Sequence, residues 1–376
     1  MGLPDIDIIF KQKAVTAIRR SQRGIACVIV RDNTPGDTGY ETYKYEKDIP
    51  QNRYSDTVLK AIKRCFLVAV NKVVVVHIPE VTTAEGDEEE EQQATGVNFS
   101  AALDILDGLN YHYVCTTDAN GQQELANYII SKNRSSKGRK YVAVTYNAAV
   151  ADSKYIVNVK NAWVHVNGDS QNTEMEMYLP RLTSILANLP MNRSCTYYEL
   201  EELESIDMAF VDQEHSIDSW IDDGWLCLIK DDDEVMIARG VNSLTTVTST
   251  ETEDMKKIII VESMNLMEED IYSTFKKQYV GRYKNSYDNQ ALFISAVNTY
   301  FRELTHEEIL DPDYENEAKV NVEKQRDAWL GIGKTEAEEW KEEKVKRMTF
   351  RSNVFLAGDV KILDAIEDLH FEINME

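Results

Sequence analysis

The sequence predicts a multidomain α+β and α/β protein, with a β-rich N-terminal part, an α/β middle domain, an α+β C-terminal domain and an extended arm at each end. Three observations predict it. Helical and strand-like runs alternate from Phe99 to Leu189, the pattern of an α/β layer with a mainly parallel sheet. Apolar residues recur at helical spacing through Ile271, Phe275 and Tyr279, and again through Phe293, Ala296, Val297, Tyr300, Phe301 and Leu304. The run Leu369-His-Phe-Glu-Ile-Asn-Met-Glu376 alternates apolar and polar residues with a period of two. At 376 residues the chain suits two or three domains better than one.

Residues 1–22 read as an N-terminal arm, alternating loosely through Ile6, Ile8, Phe10, Val15 and Ile18. Residues 23–95 read as the β-rich domain: strands over Gly24 to Arg31, Glu41 to Tyr45 and Val73 to Ile78, with a helix over Ser55 to Ala69. The acidic run Glu85 to Glu91 carries neither His nor Cys and reads as a solvated loop. The middle domain, 96–250, opens with a helix over Phe99 to Leu106, a strand over Tyr111 to Thr117, a helix over Gln122 to Asn133 and a strand over Lys140 to Tyr146. Strands over Tyr155 to Val159 and Ala162 to Val166 follow, then a helix over Met177 to Leu189. Two apolar strands, Trp225 to Ile229 and Val235 to Ala238, flank Asp231-Asp-Asp-Glu234, which therefore reads as a hairpin turn rather than a calcium loop. The C-terminal domain, 251–366, carries the two amphipathic helices. Charged helices over Asn321 to Trp329 and Thr335 to Arg347 follow, broken by Gly331-Ile-Gly333. Residues 367–376 read as a C-terminal arm strand.

Composition excludes several function classes. Net charge is −24, from 41 basic against 65 acidic residues, which opposes wrapping a nucleic acid. The five cysteines are scattered and lie mostly in apolar runs, as reduced core thiols do in a cytosolic protein. Met1-Gly-Leu-Pro-Asp-Ile-Asp lacks the basic and apolar regions of a signal peptide, and the apolar stretch Phe66 to Ile78 is too short to span a membrane. Synthesis and folding in a cytoplasm, without membrane insertion, are expected.

Catalytic patterns are missing from the sequence. No His-x-x-x-His or His-Glu-x-x-His is present, so no metal site is expected. No Gly-x-Ser-x-Gly elbow occurs, and no subtilase-type nucleophile turn. Gly331-Ile-Gly333 lacks the third glycine and the preceding strand of a phosphate loop. The chain is expected not to be an enzyme and to use no cofactor; the alternative is an α/β hydrolase-like enzyme with a subtilase-shaped domain.

The two ends differ in charge. The N-terminal stretch carries Lys11, Lys13, Arg19, Arg20 and Arg23, whereas Asp364, Glu367, Asp368, Glu372 and Glu376 crowd the other end. Basic and acidic strands of this kind pair either within one chain or head to tail between chains, and the second arrangement builds rings or helices rather than closed dimers.

Residues 235–304 carry a resemblance. Val235-Met-Ile-Ala-Arg-Gly-Val-Asn-Ser-Leu-Thr-Thr246, then Lys256-Lys-Ile-Ile-Ile-Val-Glu-Ser263, then Asp270 to Asn285 with Tyr279-Val-Gly-Arg-Tyr283, resemble the C-terminal core of contractile tail sheath proteins of myophages and R-type phage-tail-like bacteriocins. The resemblance implies a strand over Lys256 to Ser263 and a middle domain of subtilisin-like shape. It makes Arg239, Gly240, Asn242, Tyr279 and Gly281 the family signature. It implies a structural subunit that polymerises as stacked hexameric rings around a tail tube and contracts to drive the tube through a bacterial envelope. The arms would exchange strands with neighbouring subunits, through Ile6, Ile8, Phe10, Lys11, Lys13, Val15 and Ile18 at one end and Glu367, Leu369, Phe371, Glu372, Ile373 and Met375 at the other. Implied partners are other copies of the chain, the tail tube protein, and baseplate and tail terminator proteins. Assembly is expected in the bacterial host cytoplasm, and the product in a released phage or phage-tail-like particle. The short length favours a compact sheath of the diffocin or defective-prophage type.

Overall fold

The computed structural model describes residues 17–18, 20, 23–80, 82–83, 94–95, 98–149 and 151–375. Of the N-terminal arm, Ile6, Ile8, Phe10, Lys11, Lys13 and Val15 lie outside them. The chain divides into two compact units, Ser21–Glu269 with Asp364–Glu376, and Met1–Arg20 with Asp270–Leu363.

The larger unit is built on a seven-stranded sheet in the order Trp225–Leu226, Ile156–Val159, Val142–Tyr146, Tyr113–Thr116, Ile25–Arg31, Lys72–Ile78, Gly39–Tyr43. Every neighbouring pair is parallel except the last, in which Gly39–Tyr43 runs antiparallel to Lys72–Ile78. Ile25–Arg31 shows why the sheet must be covered on both sides. Ala26, Val28 and Val30 enter one core with the helices Asp56–Arg64 and Met175–Asn188, while Ile25, Cys27 and Ile29 enter another with Ser100–Asp107 and Gln122–Ser135. A strand apolar at both parities needs helices on both faces. This corrects the expected separation at residue 95: strands from 23–95 and from the middle segment share one sheet, because a small domain ending there would leave one face of Ile25–Arg31 bare.

The sheet's two edges differ. Gly39–Tyr43 exposes Tyr40 and holds Glu41 to Arg53 Nε at 2.7 Å. Trp225–Leu226 is only two residues long, and the Lys160 ammonium lies 4.4 Å from the Trp225 ring and 3.7 Å from that of Trp220. A three-stranded antiparallel sheet of Thr173–Glu174, Trp163–Val166 and Leu203–Ile206 completes the unit, with the expected hairpin Leu228–Asp231 and Glu234–Ile237. Its acidic turn places Asp232 at φ 49°.

The resemblance implied a strand over Lys256 to Ser263; the structure has a helix over Ile258–Thr274 instead. Ile258, Val261 and Leu266 recur at three-to-five-residue spacing and are buried, so tertiary packing overrides the β propensity of Ile-Ile-Ile-Val. Strand character survives at one bridge, Val241 against Lys257.

The smaller unit centres on the helix Tyr287–His306, capped by Ser286, whose side chain accepts from the Asn289 amide. It buries Phe293, Ala296, Val297, Tyr300, Phe301 and Leu304, the residues its periodicity selected. An antiparallel pair, Glu317–Val320 with Leu356–Asp359, packs beside it, and a helix over Val322–Leu330 contributes Val322, Trp329 and Leu330 to a separate small core with Ala337, Trp340 and Val345. The continuous helix expected over Thr335 to Arg347 is split into a 3-10 turn, Thr335–Glu339, and a helix, Glu342–Arg347. Trp340 lies between them, its ring 6.0 Å from that of Trp329, and tucking it inward breaks the helix.

Candidate functional site: the signature loop and the C-terminal segment

The loop after the Leu228–Asp231/Glu234–Ile237 hairpin is fixed by its own side chains. Asn242 is buried; its Oδ1 accepts from Leu244 N at 3.0 Å and its Nδ2 donates to Met255 O at 2.8 Å. Ser243 donates from its hydroxyl to Ser153 O at 3.0 Å and to Ala151 O, stitching the loop to the end of the sheet. Gly240 donates its N–H to Thr196 Oγ1 at 2.9 Å, and its carbonyl accepts from Ile258 N at 3.0 Å. A Cβ at position 240 would lie 2.7 Å from Cys195 Sγ, so only glycine fits.

Tyr279 and Gly281 do other work, in the smaller unit. The helix Ile258–Thr274 runs into a π-helical turn, Phe275–Tyr279, whose extra residue re-aims its side chains. Tyr279 is buried against Phe293 at 4.7 Å between ring centroids, and Gly281 at φ 74° ends the element in the left-handed region. Phe275, Tyr279, Val280, Tyr283, Phe293 and Val354 line a cleft of about 480 Å³. The signature residues therefore shape the fold in two places rather than forming one site.

The C-terminal segment returns to the larger unit. Asp364 meets Lys257 Nζ at 2.5 Å, and Asp368 meets the Arg239 guanidinium at 2.5 Å. Between them, Glu367 accepts from Thr196 Oγ1 at 2.6 Å and Ser194 Oγ at 3.0 Å, with Lys257 Nζ at 3.2 Å and Arg239 Nε at 3.7 Å. Burial works against the Lys257 charge, but Asp364 and Glu367 outweigh it and hold the ammonium above the ordinary lysine range. Glu367, expected on an intersubunit surface, thus points inward. Among the described residues no strand pairs with the expected strand over 367–376, through residue 375. The side chains of Leu369, Phe371, Ile373 and Met375 are 85, 76, 69 and 93% exposed, and Glu372 is exposed too. Ser194, Thr196 and Lys257 carry no sequence pattern that links them to residue 367. At the other end, Ile18 is buried, and in the smaller unit Arg20 donates to Glu307 at 2.9 Å and lies 3.8 Å from the buried Asp270.

An α/β sheet binds ligands beyond the carboxyl ends of its strands, where the strand order reverses. Here that place lies between Ile25–Arg31 and Tyr113–Thr116, and it is filled. Arg31 pairs with Asp118 and donates to Pro79 O at 3.1 Å, while Gln122 Nε2 donates to Thr116 O at 3.0 Å and Asp118 O at 3.1 Å. A Cβ at the neighbouring Gly121 would meet the Phe99 ring at 2.5 Å, so among the described residues the place is closely packed. His112 is buried 3.4 Å from Glu269; burial first, then Arg23 and Arg139, pull its pKa down. All five cysteines are buried, and burial pushes the thiols of Cys115, Cys195 and Cys227 up to about 12. Among the described residues no group of three or more His, Cys, Asp or Glu is placed to hold a metal, and no helix is long and apolar enough to cross a membrane.

Comparison with known proteins agrees with this geometry. Residues 92–243 match the family model described as the phage tail sheath protein central domain, and residues 250–376 the phage tail sheath C-terminal domain. A tail sheath protein of Clostridium phage phiCD119 is 31% identical over 375 residues, covering 100% of this chain and 99% of that protein. The crystal structure of a sheath tail protein from Desulfitobacterium hafniense superposes with a TM-score of 0.66 at 14% identity, over 84% of this chain and 94% of that one. The helical sheath of the anti-feeding prophage in its contracted state gives a TM-score of 0.66 at 10% identity, over 100% of both chains.

Proposed function

Because this chain belongs to the phage tail sheath protein family and is a structural sheath subunit, we propose that its copies stack as hexameric rings around a tail tube and contract to drive the tube through a bacterial envelope. The observation that carries this reading is the C-terminal segment. Four large apolar side chains alternate along Leu369 to Met375, exposed on a subunit whose own sheet leaves them no partner. An edge of that kind is completed by another chain. Contact between the two different ends of the molecule is heterologous, so it propagates into a ring or helix rather than closing a dimer. The basic N-terminal residues Lys11 and Lys13 suit the acidic Glu372 of a neighbour, and the apolar residues Ile6, Ile8, Phe10 and Val15 suit its alternating face, whereas Ile18 is buried in its own subunit. The folded units move as rigid bodies during contraction while the exchanged segments keep subunits connected.

The partners are further copies of the chain, a tail tube protein, and baseplate and terminator proteins, assembled in the host cytoplasm. That one chain in the structure of the anti-feeding prophage baseplate shares this fold, with a TM-score of 0.64 at 10% identity, is consistent with a baseplate-linked assembly. The filled crevice at the strand-order reversal argues for a scaffold over a hydrolase. Negative-stain microscopy of the purified protein mixed with a tail tube tests the proposal. Hollow cylinders of regular diameter are expected; compact monomers at all concentrations, with or without tube, refute it.

A further inference from the structure

We propose that Ser194, Thr196, Arg239 and Lys257 form a carboxylate socket that pins Glu367, so that the C-terminal segment leaves its own subunit from one fixed point and in one direction. All five residues belong to the larger unit. Exposure along the segment changes abruptly at this position. Ile366 is 100% exposed and Leu369 85%, yet the Glu367 side chain between them is 5% exposed. A glutamate goes into the surface while the apolar neighbours stay out, the reverse of what solvation alone produces.

The socket treats the two carboxylate oxygens differently: Oε1 takes the two hydroxyls, while Oε2 is buried without a hydrogen bond beside the Lys257 and Arg239 charges. Thr196 Oγ1 takes the Gly240 N–H as acceptor, which leaves its own hydrogen for Glu367. Ser194 Oγ accepts from Thr196 N at 3.1 Å, and its own hydrogen is shared between Glu367 Oε1 and Thr196 Oγ1, each at 3.0 Å. Two hydroxyls and two cations therefore converge on one carboxylate. Gly240 gives the socket its room: a Cβ there would come within 2.7 Å of Cys195 Sγ and 3.2 Å of Ser194 Oγ, displacing the residues that hold Glu367. This assigns Arg239 and Gly240 of the signature a positioning role for the segment that follows 130 residues later. Asp364 on Lys257 and Asp368 on Arg239 brace the same two cations from either side. The proposal rests on the assembly reading only for its consequence: a root held at one point sets where the exposed residues from Leu369 onward begin their search for a neighbour.

The test uses the full-length monomer. Because all five native cysteines are buried, Ile366→Cys supplies a single reactive thiol for a nitroxide label one residue before the anchor. Because Ile366 is fully exposed, the label reports the motion of the backbone that carries it, and in the parent its mobile fraction should be small. In Glu367→Gln and Glu367→Ala the mobile fraction should rise about tenfold, the factor that loss of one hydrogen bond to a charged group corresponds to. Gly240→Ala should do the same from the opposite side, with Glu367 intact. Glu372→Gln, outside the socket, should leave the spectrum unchanged, and circular dichroism melts should overlay for the Glu367 variants, which separates a lost anchor from a lost fold. Identical spectra for the parent and Glu367→Ala overturn the socket. Should a subunit cut at residue 369 assemble normally, the assembly reading fails and the socket stands.

Discussion

Deleting Leu369–Glu376 should abolish polymerisation and leave the subunit as stable as before. The four apolar side chains are between 69 and 93% exposed, so their removal takes little buried area from the monomer. Full burial of such a side chain contributes ~1.5–3 kcal/mol, and the small buried fractions here leave a total of about 1–2 kcal/mol at most. For a chain this long that is a shift of a few degrees or less in melting temperature. In the polymer the same four residues contribute roughly 6–12 kcal/mol on burial. Fixing about seven residues of backbone costs roughly 7–14 kcal/mol, and ladder hydrogen bonds return ~0.5–1.5 kcal/mol each. One arm is therefore close to break-even alone, and the sheath holds only where several contacts act together. The assay pairs differential scanning calorimetry with sedimentation in the presence of a tail tube. A melting temperature lowered by ten degrees would show that the segment packs on its own subunit. Pelleting of the truncated protein at the parental level would show that it is no arm. Either result refutes the reasoning.

Three further outcomes are expected. Burial raises the Glu269 carboxyl, but His112 and Arg139 outweigh it and hold its pKa at about 2 against an ordinary 4.5. A depressed carboxylate stabilises the fold above its unfolded value, and that contribution is lost as pH falls from about 4.5 towards 2. The gap in urea midpoint between the parent and Glu269→Gln should accordingly be wide at pH 7 and shrink through this window. Gly121→Val should destabilise the larger unit by about 1–3 kcal/mol through overpacking against Phe99, read as a lower thermal midpoint with unchanged far-ultraviolet dichroism. Reversing Lys11 and Lys13 to Glu should block assembly at low salt, and Glu372→Lys should restore it, measured by sedimentation across a salt series; unimpaired assembly of the first variant removes the charge pairing.

Much of the fold was legible because the sequence writes faces clearly. The helix Tyr287–His306 buries the apolar residues that its periodicity selected, and the strands Tyr113–Thr116, Val142–Tyr146 and Ile156–Val159 with their helices form the expected parallel layer, while Trp163–Val166 joins an antiparallel sheet instead. What periodicity cannot give is the partner. Ile25–Arg31 reads equally well as a strand of a small domain or as the middle of a large sheet, and only the second covers both of its faces. Ile258 to Val261 reads as a strand on local propensity, while the spacing to Leu266 that makes it a helix extends beyond the β-branched run. Glu367 sits among acidic neighbours that look alike in sequence. Its distinction comes from residues near positions 194, 239 and 257, which no local pattern connects. The cleft beside Tyr279 depends likewise on a π-helical turn that propensity does not announce.

The two edges of the seven-stranded sheet bear on how such a molecule avoids jamming. A protein stored at the concentrations that nucleate long fibres carries, on each copy, a sticky alternating ribbon from Leu369 to Met375. Any naked ladder of amides would capture that ribbon in the wrong register and seed an amorphous precipitate. One rim offers only Trp225 and Leu226, too short to hold a guest and roofed by the Lys160 ammonium. The other, Gly39–Tyr43, presents Glu41 already locked to Arg53, so docking there would desolvate an ion pair for little apolar gain. Wrong addresses are thereby made unattractive, and if the ribbons are exchanged between subunits as proposed, assembly gains fidelity without any proofreading step.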